Sequence, residues 1–344
     1  MRIFVPITGQ FHNIGDVLHR RVLVNWLKEV GEIHLYGGSA PESFVQGLKL
    51  SPCEYKFYKK LKLWLVEYFI SKNDHLVFKP GENKLAIKRL VAETILFSIA
   101  RFKKNNGKTI RVGIAIDRQQ TIFKFFFKAI LSHSDKVFWR IKRSKKYFKL
   151  GLVCPDLAFY DFEHSYADVE KKYVVISYRF DRPYPPDQWF LAIKSFCEEK
   201  NLKLICITQV QTDNERNQEI ADQLGCNHAY WEMQYSHLKQ EAKIDKIIKQ
   251  AEMILSDRLH VLIKGSNFCA NPVGLLTQNN SKVIDHFEVV GIEDNMFTID
   301  KSDKKEIIQI LDDQIQKKGR RINKFINAKA DLEIIKNDII KELK

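Results

Sequence analysis

The tripeptide Arg258-Leu259-His260 places a guanidinium and an imidazole where the sequence changes from a strand pattern to a helix pattern. The apolar segment Met253–Leu255 is followed by a turn of one serine and one aspartate, and helical periodicity begins directly after this turn, at Arg258. The first turn of a helix presents backbone N–H groups that can bind an anion. Histidine can exchange a proton near neutral pH. The tripeptide is therefore a candidate for anion binding and proton transfer, and a buried structural histidine is the alternative interpretation.

Two other groups of residues follow predicted strands. In Asn13-Ile14-Gly15-Asp16, the glycine permits a sharp turn and the aspartate begins a helix, where its charge is stabilised. Asp16 is a candidate base or hydroxyl-binding group, although a plain N-cap is the simpler interpretation. In Ser177-Tyr178-Arg179, the guanidinium could bind a carboxylate or phosphate through two parallel hydrogen bonds, although it could equally be a surface arginine. Weaker candidates near strand ends are Arg140, Asp156 and Gln209.

Strand and helix patterns alternate along the chain, which predicts open, mostly parallel sheets. The expected strands are Arg2–Ile7, Glu32–Tyr36, Arg111–Ile116, Lys136–Trp139, Tyr173–Ser177, Lys203–Ile207, Met253–Leu255 and Pro272–Leu276. The expected helices begin near Gly15 and cover 55–70, 84–104, 121–131, 144–150, 187–200, 214–224, 236–251, 258–268 and 281–290. The tail from Lys304 is predicted to form two helices that are broken near Gly319.

The length of 344 residues exceeds one small core and favours two domains. We expect two Rossmann-like α/β domains with mostly parallel sheets facing a cleft, where ligands bind at the carboxyl ends of the strands. The acidic, aperiodic stretch that begins near Tyr160 is the predicted linker. The expected divisions are a first domain at 1–160, a linker at 161–172, a second domain at 173–300 and helices at 301–344.

The net charge of +14 is clustered, since Lys136–Lys149 holds only basic charges and Lys59–Lys62 forms a second basic run. Such charge favours phosphate-bearing or membrane-surface partners, with a solvated basic face as the alternative. Nucleic acid is not expected, because no binding motif is present. The scattered cysteines indicate neither a zinc site nor a disulfide framework. No apolar run is long enough to span a membrane and no secretion signal is recognisable, so we expect a cytoplasmic protein.

Several common enzyme motifs are missing from the sequence. It contains no G-x-x-x-x-G-K-S/T loop, no G-x-G-x-x-G, no H-E-x-x-H and no G-x-S-x-G. This argues against a P-loop ATPase, a simple dinucleotide enzyme, a zincin and a serine hydrolase.

The order of the motifs over about residues 1–295 resembles the polysaccharide pyruvyl transferase family. The family's N-x-G-D turn is similar to Asn13–Asp16, and its final S-x-R-L-H is similar to Ser256–His260. Between them, the strand that ends in arginine is matched by Val174–Arg179. The other matching residues are Val112-Gly113-Ile114, Ser134–Arg140, Ser144, Gly151, Pro155-Asp156, Pro272, Lys282 and Gly291.

The resemblance implies a GT-B-like fold and transfer of a pyruvyl group from phosphoenolpyruvate to a sugar. The product is a ketal on a cell-surface polysaccharide, such as a capsule or exopolysaccharide, or on its lipid-linked precursor. The first domain would be the acceptor side and the second the donor side. No cofactor and no metal is implied. Lipid-linked intermediates and the basic run at 136–149 suit a peripheral position on the anionic inner face of the membrane.

The resemblance also implies roles for individual residues, because phosphoenolpyruvate carries a carboxylate and a phosphate and its methylene carbon must be protonated. His260 would be the general acid, Arg258 would bind phosphate with the helix N-terminus, and Arg179 would bind the carboxylate. Asp16 would accept the proton of the sugar hydroxyl. The other expected ligands are Ser177 and Ser256 on the donor side and Asn13, Gly15 and Arg140 on the acceptor side.

This sequence departs from the family pattern in the first domain. Many members have a run of glycines where Leu76–Asn83 has one, and an acidic residue where Val17 follows Asp16. One alternative is a GT-B glycosyltransferase that uses a nucleotide sugar, since the same arginine, histidine and helix N-terminus could bind a diphosphate. Another is a non-catalytic basic scaffold that docks on membranes, suggested by the aromatic and lysine residues of Ile122–Leu131.

Overall fold

In the computed structural model, the described residues are 1–70, 73–84, 94–95, 107–117, 121–278 and 281–344. The chain divides into two compact units. Unit 1 contains Met1–Phe11, Asp16–Leu157 and Asp331–Lys344, and unit 2 contains His12–Gly15 and Ala158–Ala330. Among the described residues, no helix is both long enough and apolar enough to cross a membrane.

Unit 1 is built on a parallel sheet in which the second and third strands are added on one side of the first strand and the later strands on its other side. The strand order is β3-β2-β1-β4-β6-β7-β8, and β5 pairs with β6. The strands are β1 Arg2–Pro6, β2 Glu32–Tyr36, β3 Tyr55–Tyr58, β4 His75–Phe78, β5 Gly81–Lys84, β6 Thr109–Asp117, β7 Lys136–Trp139 and β8 Leu152–Val153. The point between β1 and β4, where the strand order switches, is the usual ligand position in such a sheet.

Helices cover the sheet of unit 1 and bury its aromatic core. They are α1 Ile14–Leu27, α2 Glu42–Gln46, α3 Leu61–Ile70, α4 Thr121–Ser132 and α5 Lys142–Phe148. Trp64 and Tyr68 of α3 pack on Phe4 and Leu76. Phe127 of α4 and Phe148 of α5 pack with strand residues in a second cluster. These contacts orient each helix by its apolar side toward the sheet.

Unit 2 repeats the plan with the parallel strand order β11-β10-β9-β12-β13-β14. The strands are β9 Tyr173–Ser177, β10 Lys203–Ile207, β11 Asn227–Ala229, β12 Ala251–Ser256, β13 Asn271–Leu276 and β14 Met296–Thr298. The helices are α6 Asp187–Glu199, α7 Asn214–Leu224, α8 His237–Ile248, α9 Leu259–Asn267, α10 Ser281–Val289, α11 Lys304–Gln316 and the first part of α12 Lys318–Leu343, whose residues from Asp331 onward belong to unit 1. The central strands are continuous apolar runs because helices cover both faces of the sheet.

One glycine sets the distance between α9 and the sheet of unit 2. A Cβ atom on Gly265 would lie 2.2 Å from Cγ1 of Ile254 in β12. Only glycine permits this close packing, which holds the N-terminus of α9 at the end of β12.

The predicted fold class is confirmed: mostly parallel sheets form two α/β domains, and the C-terminal tail is helical. The predicted helix at 55–70 is wrong in its first part, because Tyr55–Tyr58 pairs with β2 and the helix begins at Leu61. The short strands β4, β5, β8, β11 and β14 were not expected. The predicted helix at 84–104 lies outside the described residues, apart from Lys84 in β5 and residues 94–95.

The C-terminal tail forms two helices with a break near Gly319, as predicted. The break falls at Lys317, between α11 and α12, and Gly319 lies just inside α12. A Cβ atom on Gly319 would meet nothing within 4 Å. The glycine therefore reflects no close packing, and an exposed helix tolerates it at a cost of about 1 kcal/mol.

Candidate active site

The ends of β9 and β12 meet at the point where the strand order of unit 2 switches. Ser177 and Ser256 are register partners at the carboxyl ends of these neighbouring strands. The segments that follow them, Ser177–Asp181 and Ser256–His260, are called here the β9–β12 corner. Parallel sheets bind ligands at such a switch point. The fold therefore brings two of the three residue groups that the sequence indicated to this corner, and Gly15 of the third group also contacts His260.

The hydroxyl of Ser256 joins the two strand ends. It donates a hydrogen bond to the backbone carbonyl of Ser177 at 2.5 Å and accepts one from the Arg258 N–H at 3.0 Å. Both serine side chains are buried. The observed contacts of Ser256 thus hold the corner together, and its binding to a donor stays a prediction, as does that of Ser177.

Buried side chains bind the backbone of the segment that follows β9. The consecutive N–H groups of Tyr178, Arg179 and Phe180 donate to Asn217, Asp257 and Asp213 at 2.8, 3.0 and 3.1 Å. These acceptors fix the backbone of the segment and occupy its N–H groups. An anion at the corner would therefore be bound by arginine side chains and by the N-terminus of α9 rather than by this segment.

Arg258 forms a two-pronged ion pair with Asp213. Its Nε and Nη2 atoms donate to the two carboxylate oxygens at 2.6 and 2.5 Å. The Asp213 side chain is 1% exposed and the Arg258 side chain 12% exposed. The pair fixes the guanidinium plane and uses two of its five N–H donors, so that the Nη1 edge points away from Asp213.

Arg258 is the N-cap residue of α9 and has extended backbone angles, so the helix begins at Leu259, one residue later than predicted. Because the backbone of Arg258 is not helical, the direction of its side chain does not follow the repeat of the helix. Its side chain makes no capping hydrogen bond to the helix. In any α-helix the N–H groups of the first turn lie outside the i to i−4 hydrogen-bond pattern, and a helix N-terminus of this kind favours an anion.

Arg179 forms a similar two-pronged pair in a more exposed position. Its Nε and Nη2 donate to Asp181 at 2.8 and 2.7 Å. The two side chains are 25% and 43% exposed. The hydrogen bonds from Arg179 lower the pKa of Asp181 to about 2. Because the pair is open to water, a ligand carboxylate could replace that of Asp181 at small cost.

Asp257 is a buried acid inside the corner. Burial raises its pKa to about 6, although the Arg179 N–H and nearby arginines oppose the shift. The acid with this raised pKa lies directly beside two candidate donor ligands, Arg179 and Arg258. Neither Asp257 nor Asp213 was singled out from the sequence.

The signal that could have found these acids is weak. Asp257 is the variable position of S-x-R-L-H, and Asp213 is the N-cap residue of α7. An N-cap aspartate usually binds N–H groups of its own helix. Asp213 instead makes no capping bond and turns to Arg258, a residue distant in sequence.

His260 packs against Gly15, which belongs to the same unit. A Cβ atom on Gly15 would lie 2.6 Å from both Cβ and Nδ1 of His260. Gly15 is therefore required for the close approach of the imidazole, in addition to the sharp turn expected from the sequence. The Gln209 amide donates to the His260 carbonyl at 3.2 Å, which connects the end of β10 to the same place.

The segment His12–Gly15 is held in unit 2 by backbone hydrogen bonds. Asn13 forms an antiparallel bridge with Val210, and the Ile14 N–H donates to Gln209 O at 3.2 Å. The Asn13 side chain accepts the Gly15 N–H at 2.9 Å. Asn13 and Gly15 thus lie beside the candidate acid His260, and their binding to an acceptor stays a prediction.

Asp16 and Arg140 belong to unit 1. Asp16 pairs with Arg20 at 3.1 Å and accepts the Gln10 N–H at 3.0 Å. Arg140 is buried and pairs with Asp156 at 2.8 Å. Arg140 is therefore not part of an exposed basic face, because its side chain leaves the basic run and enters the interior. The catalytic role of Asp16 and the acceptor-binding role of Arg140 stay predictions.

Comparisons with known proteins give a family match and several structural matches. The family model described as polysaccharide pyruvyl transferase matches residues 13–279. The search of curated proteins gave no match.

Solved structures resemble the fold at low sequence identity. UDP-GlcNAc 2-epimerase from Neisseria meningitidis, bound to UDP-GlcNAc, has a TM-score of 0.62 and 10% identity over 100% of this chain and 99% of that one. Anabaena Alr3699/HepE in complex with UDP has a TM-score of 0.58 and 11% identity over 99% of both chains. A UDP-N-acetylglucosamine 2-epimerase structure from Listeria monocytogenes has a TM-score of 0.57 and 9% identity over 92% and 90%. Such similarity establishes the GT-B-like fold.

Proposed function

Because its family match covers most of the chain, this protein belongs to the polysaccharide pyruvyl transferase family, and we propose that it transfers a pyruvyl group from phosphoenolpyruvate to a sugar. The acceptor would be a cell-surface polysaccharide or its lipid-linked precursor. The observation that carries the proposal is the β9–β12 corner, where two oriented arginines, a helix N-terminus and a histidine follow adjacent strand ends.

In this proposal Arg258 and the N-terminus of α9 bind the phosphate of the donor. The pair with Asp213 holds the guanidinium in one orientation before the donor arrives. The remaining N–H donors and the first-turn N–H groups of α9 then supply charge-assisted hydrogen bonds to phosphate. Preorganisation of this kind reduces the entropy lost on binding.

Arg179 binds the carboxylate of the donor by exchanging its partner. It releases the exposed Asp181 and forms the same two-pronged geometry with the ligand. The backbone of Arg179 does not move during this exchange, because buried Asp257 holds its N–H. Asp181 therefore acts as an internal substitute for the ligand carboxylate.

The reaction begins when His260 donates a proton to the methylene carbon, so that the alkene electron pair forms the new C–H bond. The adjacent carbon becomes electron-deficient and is attacked by a sugar hydroxyl, whose proton passes to Asp16. The C–O bond to phosphate then breaks, and the departing phosphate takes the proton held by Asp16. A second sugar hydroxyl attacks the same carbon and returns a proton to His260, which gives the ketal and inorganic phosphate. This scheme uses no metal and no cofactor.

The direct test is incubation of the protein with phosphoenolpyruvate and candidate lipid-linked sugars. We expect the acceptor to gain one carboxyethylidene group by mass spectrometry, with release of an equal amount of inorganic phosphate. Arg258→Lys is the matched variant, because it keeps the charge and loses the two-pronged geometry.

A nucleotide-sugar donor is the competing function, suggested by the UDP ligands of the similar structures. Thermal-shift measurements with phosphoenolpyruvate and with UDP sugars distinguish the two. Stabilisation by a UDP sugar alone, together with release of nucleoside diphosphate, would replace the pyruvyl proposal with a glycosyltransferase.

A further inference from the structure

The helix α3 is apolar on the side that faces the sheet and also on the side that faces away. Trp64 and Tyr68 are buried against the sheet. Leu63, Val66 and Ile70, spaced three and four residues apart, are all exposed. A helix on the surface of a water-soluble domain normally presents polar residues outward, and a contiguous apolar surface marks an interaction site.

The helix α4 has the same property in aromatic form. Phe127 is buried in the core of unit 1, whereas the neighbouring Phe125 and Phe126 are 76% and 55% exposed. Exposed Lys128 stands beside them. The solvent-facing residues of α4 thus include two large aromatic groups next to lysine.

The topology puts α3, α4 and α5 on one face of the sheet of unit 1. From β3 the chain travels across the sheet in a single direction, to β4, β6, β7 and β8. Right-handed crossovers therefore place these connecting helices on the same side. We call the outward side of these three helices the outer face.

The charge of the outer face is uniformly positive on α4 and α5. Neither helix contains an acidic residue. The exposed lysines include Lys128, Lys142, Lys145 and Lys146. The one acid of α3, Glu67, is paired with Arg2 and Lys56.

We infer that the outer face docks on the surface of an anionic lipid bilayer. The exposed leucine, isoleucine and phenylalanine side chains enter the boundary between headgroups and acyl chains, and the lysines of α4 and α5 contact the phosphates. Charge complementarity favours this occupant. A second copy of the chain, packed through the same face by twofold symmetry, would bring like charges together.

Flotation of the whole protein with vesicles tests this inference. We expect binding to phosphatidylcholine vesicles that contain phosphatidylglycerol, weaker binding in high salt, and little binding to phosphatidylcholine alone. Vesicles need no substrate, so this result is independent of the phosphoenolpyruvate assay. The absence of binding to the anionic vesicles at low salt would overturn the inference.

Matched variants distinguish docking from general stickiness. Phe125→Ser with Phe126→Ser should lower the partition coefficient at least about tenfold, because two large apolar groups no longer insert. The control pair, Leu191→Ser with Ile334→Ser, removes exposed apolar residues elsewhere and should leave it unchanged. Equal loss from both pairs would contradict docking through the outer face.

Charge reversal provides a second matched comparison. Lys145→Glu with Lys146→Glu should weaken anionic-vesicle binding at least about tenfold, since each lysine near the membrane contributes to attraction. Lys301→Glu with Lys305→Glu makes the same change in net charge outside unit 1 and should have little effect. Light scattering tests whether a second copy of the chain occupies the outer face instead. If the protein is a dimer and Phe125→Ser with Phe126→Ser converts it to a monomer, the face belongs to a second copy and the lipid assignment is overturned.

Discussion

Replacing Asp213 by asparagine measures how much a buried ion pair contributes to the free energy of unfolding. Removal of one partner of a buried pair typically destabilises a protein by about 3 to 5 kcal/mol. Asp213 is 1% exposed, but Arg258 is 12% exposed and retains some water. Asparagine also keeps an oxygen for the Phe180 N–H. We therefore expect a loss of about 2 to 3 kcal/mol in the free energy of unfolding.

Asp181→Asn is the matched control, because it also neutralises the aspartate of a two-pronged arginine pair. The Asp181 side chain is 43% exposed, so water screens the pair and its loss should cost less than about 0.5 kcal/mol. Urea unfolding followed by circular dichroism measures both variants, and an unchanged slope with denaturant would show that the midpoint reports stability.

The two variants should also differ in the binding of phosphoenolpyruvate. Asp213→Asn releases the Arg258 guanidinium from its fixed plane, so the KM should rise. Asp181→Asn removes a competitor for Arg179, so the KM should fall or stay constant. The reasoning is refuted if the two variants lose equal stability, or if Asp213→Asn binds the donor as tightly as the unmodified protein.

Three further predictions concern the corner and its neighbour Gly15. Gly15→Ala should reduce activity at least about tenfold by displacing His260, since a 1 Å misplacement can cost about a hundredfold, whereas Gly319→Ala should leave activity unchanged and slightly stabilise the helix. His260→Gln should lower kcat by about 10²- to 10⁴-fold while phosphoenolpyruvate still raises the melting temperature, and loss of that stabilisation would assign His260 to binding instead. Because burial raises the pKa of Asp257 to about 6, the folded state binds the proton more tightly than the unfolded state, and stability from this group is lost as pH rises from about 4 to about 6. This loss is about 3 kcal/mol at most, and Asp257→Asn should remove it because asparagine does not titrate. In unfolding experiments, the free energy of unfolding of the variant should therefore rise relative to that of the unmodified protein over this pH range.

The regular elements of unit 2 could be predicted because their signals are local. Tyr173–Ser177 and Lys203–Ile207 are apolar runs between polar turns, and both strands have the predicted bounds. For Tyr55–Tyr58, in contrast, the sequence predicts the start of a helix that continues to residue 70, whereas the structure has a strand. Its pairing with β2 is a tertiary contact that local periodicity does not encode.

The sequence indicated which residue groups form the candidate site, but it did not indicate the ion pairs and the burial that link them. Ser177–Arg179 and Ser256–Arg258 were singled out because each follows a strand, and parallel pairing brings such ends together. The pair between Arg258 and Asp213 joins residues from different strand ends, and no spacing rule indicates it. The burial that raises the pKa of Asp257 likewise depends on packing from several elements.

Each of the two units is built from segments that are distant in the sequence, which limits how far either unit can fold during translation. Unit 2 includes His12–Gly15, which is synthesised long before its sheet, and unit 1 includes Asp331–Lys344. In unit 1, Lys136 and Lys108 pair with Asp338 and Glu342. Native contacts of such large sequence separation form slowly. The sheet of unit 1 thus emerges first but obtains its last partners only when residues 331–344 have been translated, so neither unit can finish folding as a continuous nascent segment.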